Sequence, residues 1–213
     1  MTLPISPALL PSLPESACLA NVIKIVTPGI ETFHECLVID PSRGWEVLLS
    51  DHRLCHVAVI ERHGIHGEVA HGLLQDFGLT EGAVASTVGH DAHNLIVAGK
   101  SESDMRIAVE TLRSSQGGVC VVRHGEILAH VPLPIAGLLS DERATDVANK
   151  TSQLKLAWAK VGCQLPYMGF NLLPLSVIPN FRITDKGLIL VNDLKILPLF
   201  EEMSPTGSRD ERY

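Results

Sequence analysis

The sequence predicts an α+β fold (mixed α/β), a largely antiparallel or mixed sheet with two main helices packed on it. Three observations lead there. Short aliphatic runs such as VAVI, LIVAG and GVCVV recur between glycine-, proline- and aspartate-bearing turns, the pattern of buried strands. Two longer stretches carry apolar residues at three- and four-residue spacing, as helices do. The order is strands, helix, hairpin, helix, strands, which favours antiparallel neighbours with the helices on one face.

Taken in order, residues 1–20 read as a proline-rich arm, with four prolines in the opening MTLPISPALLPSLPESA. Residues 21–54 form a short strand segment that precedes the main domain, with strands at 21–26, 35–39 and 46–50. Asp40-Pro41-Ser42-Arg43-Gly44 is a turn between the last two. The main domain spans 55–202. It opens on the strand CHVAVIERHG from Cys55 and continues with strands at 67–74, 82–88 and 94–99.

Ser101 then caps a helix with an acidic first turn, which suits the unpaired N–H groups there. Met105, Ala108, Val109 and Leu112 make its inner stripe, and Gly117 ends it. GGVCVVRHGEILAHVPLP reads as a hairpin turning at His124-Gly125. A second helix starts near Ser140-Asp141. Its inner stripe is Ala144, Val147, Ala148, Thr151, Leu154, Trp158 and Val161, and Gly162 stops it. Strand-like pieces at 188–191 and 195–200 close the domain, and 203–213 read as a disordered tail.

Composition narrows the function. Hydrophobic residues are 46% of the 213, enough for a core, but aromatics are 4%, so that core is aliphatic. The net charge is −7 and the 17 basic residues are scattered. With no basic stripe to track phosphates, nucleic acid is not an expected partner. The five cysteines, at 18, 36, 55, 120 and 163, contain no CxxC pair, which argues against a disulfide framework and a thiolate zinc site. The first basic residue is Lys24, and prolines break the opening apolar run, so no secretory signal is read there. No stretch is long enough to span a bilayer. A cytoplasmic protein without a membrane partner is expected.

Two polar clusters stand out. STVGHDAHN, with Ser86, His90, Asp91, His93 and Asn94, lies between two apolar strands. His90 and His93 would face opposite sides of a continuous strand, so joint action requires a turn or bulge. Asp91 is placed to orient one imidazole for general-base work or purine hydrogen bonding. The bland alternative, a structural loop that satisfies buried backbone, carries equal weight on spacing alone. VIERHG brings Glu61, Arg62 and His63 to a strand end. Glu61 and Arg62 alternate sides, and on spacing alone a solvated strand end is the better account of them. His66 and His71 carry little signal. His52, His56, His124 and His130 are expected at the surface.

Several signatures are missing. The ten histidines include no His-x-His pair and no HExxH, and the zinc base-deaminase pattern is absent. No Gly-x-Ser-x-Gly elbow, P-loop or GxGxxG occurs. No metal site is assigned to this chain. A metal held by His90 and His93 alone suits the strand spacing poorly and lacks further ligands.

Taken together, HVAVIERHG, GLLQDFGL, GAVASTVGHDAHNLIVAG, SESDMRIAVETL, HVPLPIAGLLSDE and PNFRITDKGLILV resemble the C-terminal domain of adenine deaminases. The resemblance runs over roughly residues 20–200 in the same order. Where the family commonly has Ala-His-Asp-Ser-His-Asn, Gly89 and Ala92 replace the alanine and the serine. The loss of that hydroxyl removes any binding role it had.

The resemblance implies purine salvage by hydrolytic deamination of adenine to hypoxanthine and ammonia. It also implies an amidohydrolase-type barrel with a divalent metal, manganese or iron, whose ligands do not map onto this chain. His90, Asp91 and His93 are then catalytic candidates, and Ser86, Asn94, Glu61, Arg62 and His63 substrate-binding or interface candidates. The implied partners are adenine or another purine base, a barrel domain in trans or missing from the fragment, and a second copy in a homo-oligomer. The alternative is a non-catalytic stand-alone module for oligomerisation or nucleobase binding.

Overall fold

The computed structural model describes residues 1, 3–4, 7–26 and 30–203. The centre of the fold is one nine-stranded sheet. Its strands are β1 (Cys18–Ile25), β2 (Thr32–Ile39), β3 (Leu54–Ile60), β4 (Val69–Gln75), β5 (Ala83–Ser86), β6 (Leu95–Gly99), β7 (Gly118–Arg123) and β8 (Glu126–Pro132), with the late strand β12 (Phe200–Glu202). The order runs β2-β1-β4-β3-β6-β5-β7-β8, and β12 lies beside the start of β1. Every pairing is antiparallel except β1 with β4. The sheet is therefore mixed and largely antiparallel. The segment 21–54 enters this same sheet through β1 and β2.

A small second sheet, β9 (Phe181–Thr184), β10 (Gly187–Leu190) and β11 (Lys195–Leu197), packs against the first. The helices are α1 (Gly44–Asp51), α2 (Glu102–Ser114), α3 (Ala144–Lys160) and α4 (Tyr167–Asn171).

Alternation along the strands makes two cores. Val57 and Val59 face Leu154, Trp158 and Phe170, whereas Ala58 and Ile60 face Met105, Ala108 and Leu112. The helices thus cover both faces of the sheet, α2 on one and α3 with α4 on the other, and not one face as the element order suggested. The order of elements in the sequence says nothing about which side of the sheet each long connection crosses.

The helix α2 and the following hairpin form as expected. Ser101 Oγ accepts from Asp104 N at 3.5 Å, and Met105, Ala108, Val109 and Leu112 are buried. The β7–β8 turn takes φ of 52° at His124 and 82° at Gly125, the left-handed pair that a two-residue hairpin demands. Asp104 secures that turn, accepting from His124 N at 3.2 Å and Gly125 N at 2.8 Å.

Four local expectations need correction. Residues 46–50 are helical, inside α1, not a strand. Trp45, Leu48 and Leu49 share a helical stripe, while Asp40 accepts from Ser42 N at 3.0 Å and starts the turn. α3 begins at Ala144, beyond a turn in which Ser140 Oγ accepts from Glu142 N at 3.2 Å. Ala144 and Ala148 are exposed, so the buried stripe is narrower than expected. His56 is buried, edge-on to Trp45 at 4.7 Å between ring centroids, and not at the surface.

The proline-rich arm packs as well. Leu3 and Leu9 join the α2 core, and the Pro4 and Ala8 carbonyls bind Arg113 and His71. The tail expected at 203–213 lies outside the described residues except for Met203.

Candidate functional site

Sheet register brings the two polar clusters together. Ile60 at the end of β3 pairs with Leu95 at the start of β6, and Ser86 at the end of β5 pairs with Ile96. The segments after β3 and β5 therefore leave the sheet at one end. Pro132 pairs with Gly118, which puts the loop after β8 at that end too.

Between β5 and β6 the chain leaves the extended conformation. Residues 90–92 form a turn, His93 N donates to the Gly89 carbonyl at 2.8 Å, and His93 has φ of 51°. The two imidazoles come to lie 5.6 Å apart between ring centroids. His90 N donates to the Asn171 carbonyl at the end of α4 at 2.8 Å. Asp91 and Ala92 are exposed at the tip, and His90 and His93 are half-buried.

Glu61 and Arg62 are both buried, and they serve different segments. The Glu61 carboxylate accepts the main-chain N–H groups of His63, Ile65 (3.1 Å), His66 (3.2 Å) and Gly67 (3.0 Å), shaping the loop after β3. Burial raises the pKa of Glu61, but these four bonds outweigh it and hold the carboxyl down to about 2. Arg62 Nε donates to the His93 carbonyl, and an Nη atom donates to the Ala136 carbonyl at 2.8 Å. The Arg62 main-chain N–H donates to Asn94 Oδ1 at 3.4 Å. Arg62 thus ties together the loops after β3, β5 and β8.

The remaining candidates divide the same way. Ser86 and Asn94 are buried, and Ser86 Oγ accepts from Val88 N at 3.0 Å. His63 is exposed, and its Nε2 donates to the Ala92 carbonyl at 2.7 Å, so a third imidazole joins the tip of the turn. Burial lowers the pKa of His93, with His90 and Arg62 adding to that and Asp91 opposing.

Sequence reasoning missed three supports. Thr87 Oγ1 donates to the Gly137 carbonyl at 2.7 Å and accepts from Gly118 N at 2.8 Å. Gly137 has φ of 73°, and a Cβ there would meet the Arg62 guanidinium at 2.8 Å, so the close approach needs glycine. Asn171 is buried with both side-chain polar atoms unpaired among the described residues. The only signal for Thr87 was its place in the STVGHDAHN string. Gly137 and Asn171 sit far off in sequence, and nothing local marked them.

The arrangement is a rigid underside of Glu61, Arg62, Ser86, Thr87 and Asn94 that presents His63, His90, Asp91 and His93 outward. Such a tip offers imidazole donors and acceptors and a carboxylate to a planar polar ligand. Among the described residues no three carboxylate, imidazole or thiol groups converge as a metal ion requires. A resident divalent metal therefore does not fit the described residues.

A family profile described as the adenine deaminase C-terminal domain matches residues 30–195. The chain belongs to this family. It is 60% identical over 200 residues to an adenine deaminase of Bradyrhizobium sp. (strain BTAi1 / ATCC BAA-1182), covering 93% of this chain and 33% of that protein. An adenine deaminase of Chelativorans sp. (strain BNC1) is 55% identical over 200 residues, with the same 93% and 33% coverage. One from Moorella thermoacetica is 39% identical over 181 residues, covering 84% of this chain and 30% of that protein. The chain thus spans about a third of the length of the curated relatives it matches. As an adenine deaminase C-terminal domain, it carries both polar clusters inside the matched region, at 61–63 and 86–94.

Proposed function

We propose that this domain works as the C-terminal part of an adenine deaminase, hydrolysing adenine to hypoxanthine and ammonia together with a metal-binding barrel supplied by another segment. The observation that carries the reading is the outward tip of His63, His90, Asp91 and His93, held from beneath by buried Arg62 and Glu61. A loop fastened this firmly is suited to cover a substrate bound elsewhere, donating and accepting hydrogen bonds at the purine edge. Burial lowers the pKa of His93, and a neutral imidazole supplies an acceptor as well as a donor.

The segments around the tip fit a docking face. Ile65 follows the Glu61-held loop, Ile135 and Leu139 flank the Ala136 carbonyl that Arg62 binds, and Met168 lies on α4, whose Asn171 holds His90. All four side chains are exposed. Apolar groups ringing a polar centre mark an interaction surface. In this reading the barrel holds the divalent metal, manganese or iron, outside this chain. The protein is cytoplasmic and homo-oligomeric.

Mixing the chain with the separately expressed barrel portion of a longer relative tests the reading through ammonia release from adenine. Activity should rise on mixing and fall with His90→Ala or His93→Ala. No gain in activity and no binding between the two parts would contradict it, and would leave a stand-alone module as the better account.

A further inference from the structure

The outward groups of the tip differ in what each has left to offer once its own bonds are counted. His63 Nε2 lies 2.7 Å from the Ala92 carbonyl, and a carbonyl only accepts, so that nitrogen carries the proton. In the neutral ring Nδ1 is then an acceptor, and it has no partner among the described residues. Asp91, next to Ala92 in the chain, is exposed at the apex of the turn. Its carboxylate takes no hydrogen bond or ion pair among the described residues, and an ionised carboxylate only accepts. The apex therefore presents two acceptors, both tied to Ala92, one through the chain and one through a hydrogen bond.

Exposed Ile65, Ile135, Leu139 and Met168 surround this apex. A partner seated on them strips water from the two acceptors. Stranded acceptors are costly there unless N–H groups meet them.

We propose that this pair reads the exocyclic amino group of the substrate, Asp91 taking one N–H and His63 Nδ1 the other. Such selection rests on the deaminase reading above and adds what the site prefers, a 6-aminopurine over a 6-oxopurine. The amino group of adenine carries two N–H bonds, one for each acceptor. The carbonyl that replaces it in hypoxanthine carries none, and it sets lone pairs against a carboxylate. The contacts that hold the substrate thus expel the product.

The chain mixed with a saturating amount of the separately expressed barrel of a longer relative tests this. The readouts are KM for adenine and inhibition by hypoxanthine and by unsubstituted purine. Asp91→Ala and His63→Phe should each raise KM for adenine about tenfold or more. Inhibition by purine, which lacks the amino group, should stay the same in both. Asp91→Asn, whose amide can donate to a carbonyl, should bind hypoxanthine more tightly than adenine. Mere loosening of the turn would not produce that reversal. An active mixture whose KM and hypoxanthine inhibition ignore all three variants overturns the proposal and leaves the deaminase reading standing. A mixture with neither activity nor adenine binding overturns both. Weaker barrel binding with KM unchanged at saturation also overturns the proposal, and gives the acceptors to a cationic side chain of the barrel.

Discussion

The Arg62 guanidinium grips the His93 main-chain carbonyl, so a residue just past β3 fixes the turn that follows β5. The same side chain reaches the Ala136 carbonyl, and the guanidinium is buried between them. Arg62→Met should therefore strand two carbonyls and loosen the histidine tip. A loss of about 3 kcal/mol in urea unfolding is expected, the scale for removing one partner of a buried charged bond. Faster amide exchange at 89–94 should accompany it. Unchanged exchange there would remove Arg62 from its positioning role.

Glu61 does the corresponding work for the loop after β3. Glu61→Gln keeps the shape but removes the charge that strengthens four N–H bonds. A cost of about 2 kcal/mol is expected, with exchange rising at 63–67. The folded pKa lies below the ordinary 4.5, so the contribution is whole above that value and fades as pH falls through about 2. Urea midpoints measured across that acid range should fall in the parent and stay flatter in Glu61→Gln.

His56 acts in a higher window. Burial, with the charges of His71 and Lys100 adding to it, depresses its imidazole from 6.5 to about 4. The unfolded chain therefore binds the proton first as pH falls. Stability is lost between 6.5 and about 4, to the extent of about 3 kcal/mol. Replacing His56 with Leu should flatten unfolding midpoints across that window, and a slope unchanged by the substitution would contradict the assignment.

Much of the sheet was legible because its strands are unbroken aliphatic runs punctuated by glycine, as in VAVI and LIVAG. α1 was misread because EVLLS has strand-like composition, and only Trp45, three residues before Leu48, shows the helical period. β9 and α4 were missed because each is five residues or fewer and owes its form to packing against the larger sheet. The need for a turn between His90 and His93 followed from strand alternation alone. The Arg62 bonds did not, since they join segments 31 and 74 residues apart in the chain.

Asn171 offers a test of the opposite sign. Its side chain is buried and neither amide atom finds a partner among the described residues. Asn171→Leu keeps the branching and heavy-atom count of the side chain and removes that desolvation cost. A gain of about 1 kcal/mol is expected in thermal or urea unfolding. A loss would mean that the amide is satisfied in solution.

Amide hydrogen exchange of this chain, alone and with the separately expressed barrel of a longer relative, tests the central claim most directly. Protection should appear at 63–67, 89–93 and 135–139, the segments that carry and surround the histidine tip. Protection confined to other surfaces, or none at a barrel concentration that saturates binding, would contradict the claim that this tip faces the barrel.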